Sequence, residues 1–171
     1  MENILHGYGV SISSTIVYNR ADFTYFTALV TYVTVNFFQP FDPEATTDGF
    51  LWLIVITNWN EVRTLYSLRP LTGADAPLLQ SFSIDQGALT VHKGEHLAIG
   101  TFARENTSLV NRLCALDGGI SIVAPMVSNL TGMATLEKRR IEQIGVAFSY
   151  LVLREGEFTF SERHSTQIDI F

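Results

Sequence analysis

Two histidines and a glutamate, His92, Glu95 and His96, bracket the dipeptide Lys93-Gly94. Imidazole nitrogens and a carboxylate are ordinary ligands for zinc and related metals, and across a tight turn the two rings have matching parity. A solvated turn accounts for the same residues more simply, so they are weak metal candidates and no metal or other cofactor is expected. Asp42, Glu44 and Asp48 cluster in one turn and hint at calcium, but Pro43 and the irregular oxygen spacing favour plain turn chemistry. Cys114, with His92, His96 or His164 as a conceivable base, sits between Leu113 and Ala115. Apolar neighbours do not lower a thiol pKa, so it reads as a buried structural cysteine. The chain has no phosphate-cradling P-loop, no GxSxG elbow and no paired-glycine dinucleotide fingerprint. No catalytic residue is expected, and the chain reads as a non-enzyme.

Aromatic residues offer a different chemistry, stacking on a sugar or packing on a partner. Trp52, Trp59, Phe37, Phe38 and Phe41 are the candidates. Core packing explains Trp52 and Phe37 equally well. Trp59, held between Asn58 and Asn60 in an apparent turn, is the exposed aromatic of the set, so a glycan or partner contact is expected at Asn58, Trp59, Asn60 and Phe41.

Positioning these residues falls to strands. Val10, Ile12, Ile16 and Tyr18 alternate with polar residues, as a half-buried strand requires. The Thr-, Val-, Tyr- and Phe-rich stretch 23–38 predicts a long bent or bulged strand with Phe23, Tyr25, Leu29, Val33, Val35 and Phe37 on one face. The Pro- and Asp-containing stretch 39–49 ends it. The apolar run Phe50–Ile56 is far short of the about 20 residues that span a membrane and predicts a strand buried on both faces. Strands are also predicted over 62–69, 79–84 and 120–124. A hairpin is predicted over 88–103 across Lys93-Gly94, a second over 146–162 across Glu155-Gly156-Glu157, and a closing strand over 167–171. Residues 108–116 fit a helix, an irregular crossover or a strand. Residues 135–145 carry the marks of a short helix, with Leu136, Ile141 and Ile144 near one face and a terminal glycine, or form a strand with a charged face. The count is nine or ten strands with one or two short helices.

Composition bounds the rest. The chain has 171 residues, 47% hydrophobic and 16% charged, against roughly 25% charged in average soluble domains. One domain over residues 1–171 is expected, with a surface poor enough in charge that neighbours are expected to cover part of it. Net charge is −6, and Lys138-Arg139-Arg140 is the one basic cluster, so direct nucleic-acid binding is disfavoured. One cysteine excludes an internal disulfide. The first residues read as neither signal nor transit peptide, so the expectation is a soluble chain with no transmembrane segment, open to peripheral contact with a membrane. Asn106-Thr107-Ser108 and Asn129-Leu130-Thr131 match the glycosylation pattern and read as surface loops.

The strand order, the long loops, the KGEHLAIG segment at 93–100 and the terminal strand to Phe171 resemble the single jelly roll of small viral capsid proteins. The likeness is one of pattern over most of the chain. Tumour-necrosis-factor-like domains and carbohydrate-binding modules share it. Because no basic arm precedes the first strand, the resemblance points within capsid proteins to those of membrane-containing icosahedral DNA phages, or to a virion-surface protein. It implies an all-β, two-sheet antiparallel sandwich of jelly-roll type that self-associates into a dimer or higher oligomer, contacts other virion proteins and resides in the virion. Otherwise the chain would be cytoplasmic. A carbohydrate-binding sandwich module is the first alternative. A cupin-like metal protein is the second, although cupins place their two histidines one residue apart and follow them with a glutamate and a further histidine.

Overall fold

A computed structural model describes residues 3–105, 110–126, 130 and 134–154. The expected 158–162 and 167–171 strands, the Glu155-Gly156-Glu157 turn, His164 and the Asn106-Thr107-Ser108 site lie outside the described residues. The regular structure is all-β apart from one 3-10 turn, Pro43–Ala45. Its strands are β1 (Ile4–Ser11), β2 (Thr15–Asn19), β3 (Ala28–Asn36), β4 (Leu51–Ile56), β5 (Val62–Leu68), β6 (Leu79–Ser83), β7 (Thr90–Val91), β8 (His96–Gly100), β9 (Arg112–Leu116), β10 (Ser121–Pro125), β11 (Arg140–Glu142), β12 (Gly145–Val146) and β13 (Phe148–Arg154).

Every pairing between these strands is antiparallel. A six-stranded sheet runs β11-β10-β2-β8-β4-β5, a four-stranded one runs β13-β3-β6 with β7 also on β3, and a third runs β1-β9-β12. The layers pack in the manner of a β-sandwich, because each sheet has an apolar face that must leave water. Val17, Leu53, Val55, Leu97 and Ile99 from the six-stranded sheet meet Val30, Val33, Val35, Tyr150 and Val152 from the four-stranded one, and Leu113 and Val146 from the third.

β4 shows why its sequence is apolar throughout. Leu51, Leu53 and Val55 enter this central core, whereas Ile54 and Ile56 enter a second cluster on the other face with Ile16, Tyr18, Ala98 and Ile122. Met126, Leu130 and Leu136 cover that second cluster. Each such side chain contributes about 1.5–3 kcal/mol by leaving water.

β3 is bulged, one of the forms expected of the stretch 23–38, but runs only from Ala28 to Asn36. Opposite it, Leu151 pairs Tyr32 and the next residue, Val152, pairs Val30, which leaves Thr31 as the extra residue of a β-bulge. The bulge reverses the parity of the strand. Val33, Val35 and Phe37 point inward as expected, but ahead of Thr31 the inward residues are Ala28 and Val30, and Tyr25 is 62% exposed.

Two segments differ from the sequence expectation, and two that it left open between helix and strand take the extended form. The stretch 10–18 is two strands in different sheets, joined where Ser14 takes a positive φ of 49°. Residues 88–103 are a corner, since β7 pairs β3 while β8 pairs β2 and β4, so Lys93-Gly94 carries the chain from one layer to the other. Leu89 and Val91 share the core with Leu97 and Ile99 but reach it from the opposite side. Residues 112–116 form a strand in which Leu113 and Ala115 are buried and Arg112 and Cys114 are half-buried. The 135–145 segment is not helical: Lys138 has a φ of +52°, Ile141 is 54% exposed, and Arg140–Glu142 pairs with β10. With these splits the described residues already hold thirteen strands, more than the nine or ten expected.

A buried tyrosine hydroxyl is left unsatisfied among the described residues. Tyr150 is 2% exposed, its ring stacks on Phe148 at 6.1 Å, and its hydroxyl has no hydrogen-bond partner among the described residues. Burial pushes the phenol far above its ordinary pKa, with the Asp22 carboxylate adding to the effect. Removing an unpaired buried hydroxyl relieves its desolvation penalty. Tyr150→Phe is therefore expected to raise stability by about 1 kcal/mol in urea denaturation, an unusual sign for a core substitution.

Candidate functional site

The exposed tryptophan and the histidine corner, far apart in sequence, meet at one end of the sandwich. β4 and β5 are joined by a turn that is closed by its own hydrogen bonds. Thr57 Oγ1 accepts from the backbone N–H groups of Trp59 (3.3 Å) and Glu61 (3.2 Å), and the Thr57 carbonyl accepts from Asn60 (2.9 Å). Asn60 takes a φ of +63°, which asparagine tolerates better than most residues. The backbone is thus fixed while the Trp59 side chain stands in solvent at 80% exposure.

The 92–96 corner lies against this turn. Gly94 has a φ of +82°, and a Cβ there would come within 2.6 Å of Asn58 Oδ1, so glycine permits both the turn and the close approach. Its N–H donates to the Thr24 carbonyl at 2.7 Å, and the Thr24 hydroxyl donates to the His92 carbonyl at 2.6 Å. On the other side, the Asn60 carbonyl accepts from Leu136 N–H at 2.7 Å and Asn60 Oδ1 accepts from Arg139 Nη1 at 2.5 Å. Three loops therefore hold one another.

Glu95 anchors the corner from within. Its side chain is 7% exposed, and its carboxylate accepts from Arg63 Nε at 2.8 Å and Nη2 at 2.7 Å, a two-pronged pair. Oε2 also accepts from the His92 backbone N–H at 2.7 Å, and Arg63 donates further to the Thr90 carbonyl. Burial works to raise the Glu95 pKa, but the Arg63 guanidinium and the His92 N–H outweigh it and hold the carboxyl below the usual glutamate range. Both oxygens are thereby committed to the fold.

The two histidines point to different surroundings. His92 is exposed, with Nδ1 3.4 Å from the Thr27 hydroxyl. His96 lies 4.9 Å from the Tyr18 ring and 5.9 Å from Phe23, and its Nε2 meets the Arg20 carbonyl at 3.3 Å. Burial lowers its pKa, partly offset by that carbonyl. Among the described residues no three His, Cys, Asp or Glu side chains gather as a metal site.

The remaining candidates serve local structure. Asp42 caps the 3-10 turn through the Glu44 N–H at 2.9 Å, and Asp48 accepts from Phe50 N–H and from Trp52 Nε1 at 2.8 Å. Phe41, expected at the contact surface, is 2% exposed and packs on Phe37 with centroids 5.7 Å apart. The core claims its ring because Phe37 lies just beneath. Cys114 donates to the Phe37 carbonyl at 3.4 Å, and burial pushes its thiol up, away from reactivity.

Sequence reasoning missed Arg63, Tyr25, Lys93, Lys138 and Arg139 as members of this end. Tyr25 is exposed and its ring meets Phe23 at 4.9 Å, so Tyr25, Phe23, His96 and Tyr18 form a ladder running inward. A count of lysines would have drawn attention to the place, because both lysines of the chain, Lys93 and Lys138, fall in the loops flanking Trp59. No protein-family model, no curated protein and no solved structure matches the chain.

Proposed function

We propose that the protein is a structural subunit that assembles with copies of itself through protein contacts, as a viral capsid or virion-surface subunit does, and turns over no substrate. The observation that carries this reading is a rigid leucine tip beside an unpaired strand edge. β6 ends its sheet, with β3 on one side and no strand on the other among the described residues. Leu79 on that strand is 60% exposed, and Leu71 and Leu78 in the preceding loop are 63% and 41% exposed. Gln80 holds the loop in shape: its amide donates to the Leu71 and Pro77 carbonyls, both at 3.0 Å, and its Oε1 accepts from Leu71 N–H at 2.7 Å.

An open edge with unsatisfied N–H and C=O groups beside clustered leucines invites pairing with another chain. The low charge of the sequence agrees, since interface cores are depleted in charged residues. The repeated passage of the chain between layers, from β2 to β3, β3 to β4, β5 to β6 and β7 to β8, supports the finer reading of a jelly roll in one domain over residues 1–171. No helix among the described residues is long and apolar enough to cross a membrane.

Light scattering coupled to size-exclusion chromatography tests the reading. A dimer or larger species is expected. The triple substitution Leu71→Ser, Leu78→Ser and Leu79→Ser, at exposed positions, is expected to shift it to monomer with little change in melting temperature. A parent chain that stays monomeric across a broad concentration range would sink the proposal.

A further inference from the structure

The Trp59 end carries a second surface, independent of the assembly reading. We infer that this end docks on an anionic lipid bilayer, with the Trp59 indole entering the headgroup layer and Lys93 and Lys138 meeting lipid phosphates.

Two features carry the inference. First, the most exposed large apolar side chain among the described residues is a tryptophan at a turn tip whose backbone is fixed by Thr57 and Asn60. Indole is amphipathic and partitions to membrane interfaces, and here it is ordered before it binds. Tyr25, 62% exposed, joins it from the loop that Gly94 anchors at Thr24. Secondly, Lys93 and Lys138 flank the turn on its two sides, one beside Gly94 at Asn58 and the other beside Arg139 at Asn60. Both lysines are exposed, and neither belongs to a salt bridge among the described residues. Their long stems let the ammonium reach the headgroups while the aromatic rings sit deeper.

Charge alone would not suffice, because Glu61 and Glu137 adjoin the same loops. Glu95 does not add to them, being buried against Arg63. The balance makes the indole the anchor and the lysines the selectors for anionic lipid.

Vesicle sedimentation tests the inference, using phosphatidylcholine alone and an equimolar mixture with phosphatidylglycerol. Binding is expected to the mixture and not to phosphatidylcholine alone. Trp59→Ala is expected to lower partitioning at least about tenfold, and Lys93→Gln and Lys138→Gln about fivefold each. With Trp52 half-buried on β4, brominated lipid is expected to quench parent fluorescence and to leave Trp59→Ala unquenched. Equal binding by parent and Trp59→Ala, or no binding to the mixture, would overturn the inference. So would Trp59-dependent retention on a glycan array without vesicle binding. Light scattering on the same samples reads assembly separately, so a monomer that still sediments with vesicles defeats the assembly reading and leaves this one standing.

Discussion

Glu95→Ala is expected to destabilise the protein by about 3–5 kcal/mol, because it strands a guanidinium that the fold has turned inward. Three donors lose the carboxylate at once, Arg63 Nε, Arg63 Nη2 and the His92 N–H, and of these Nη2 keeps a bond to the Thr90 carbonyl. The corner that carries the chain between layers is then shaped by the Thr24 contacts and by the backbone bond from the N–H of residue 95 to the His92 carbonyl. At a chain length of 171 residues the loss corresponds to a melting-temperature drop of about 6–20 °C, readable by calorimetry. Glu95→Gln, which keeps the shape and one acceptor oxygen, should fall between. An unchanged melting temperature for Glu95→Ala would show that the pair contributes nothing.

The same pair sets a pH dependence. Glu95 titrates below its unfolded value, so its contribution is fully present above the ordinary glutamate pKa and is lost as pH falls through the lower, folded value. Parent protein is therefore expected to lose stability on the acid side of the glutamate range, and Glu95→Gln to lose less over the same interval. Denaturant titrations at stepped pH compare the two slopes directly.

Phe37→Ala is the second large effect, expected to cost about 3–5 kcal/mol. Phe37 is 1% exposed, packs on Phe41, and joins two sheets: its backbone bridges Leu113 of β9 while its N–H donates to the Leu78 carbonyl at 2.8 Å. Truncation leaves a cavity in the middle of the core that Phe41 cannot fill without leaving its own site. The substitution acts beneath the leucine tip, so it is expected to weaken assembly along with folding, whereas the triple serine variant weakens assembly alone. Urea denaturation and light scattering on both variants separate the two effects.

The sequence made some of this legible and hid the rest for identifiable reasons. Phe50–Ile56 could be read as a doubly buried strand because an uninterrupted apolar run that short has few other uses. Asn58-Trp59-Asn60 was readable as a turn because asparagine accepts the backbone angles a turn needs. The corner at 93–95 looked like a hairpin because alternation records only which side of a strand faces the core. Leu89 and Val91 obey the same parity as Leu97 and Ile99 whether they lie beside one another or across the sandwich. Leu136 with Ile141 and Ile144 mimicked helical spacing, yet only Leu136 is buried, as part of the cover over the six-stranded sheet. The Arg63–Glu95 pair spans 32 residues, and nothing near either partner announces the other. For the site, the exposed tryptophan was visible in advance. What surrounds it was not, because those residues come from loops that only the sheet order brings together.

That sheet order also governs when the protein can fold. β2 lies between β8 and β10, so the strand Thr15–Asn19 must wait for partners made later, at His96–Gly100 and Ser121–Pro125. Loop closure on that scale is slow, and little of the six-stranded sheet can form while the chain is still emerging from the ribosome. Until then the doubly apolar β4 has a neighbour only in β5. Nascent chains are therefore expected to spend an interval with that hairpin uncovered, which makes synthesis rate and chaperone supply the controls on how much protein reaches its folded form.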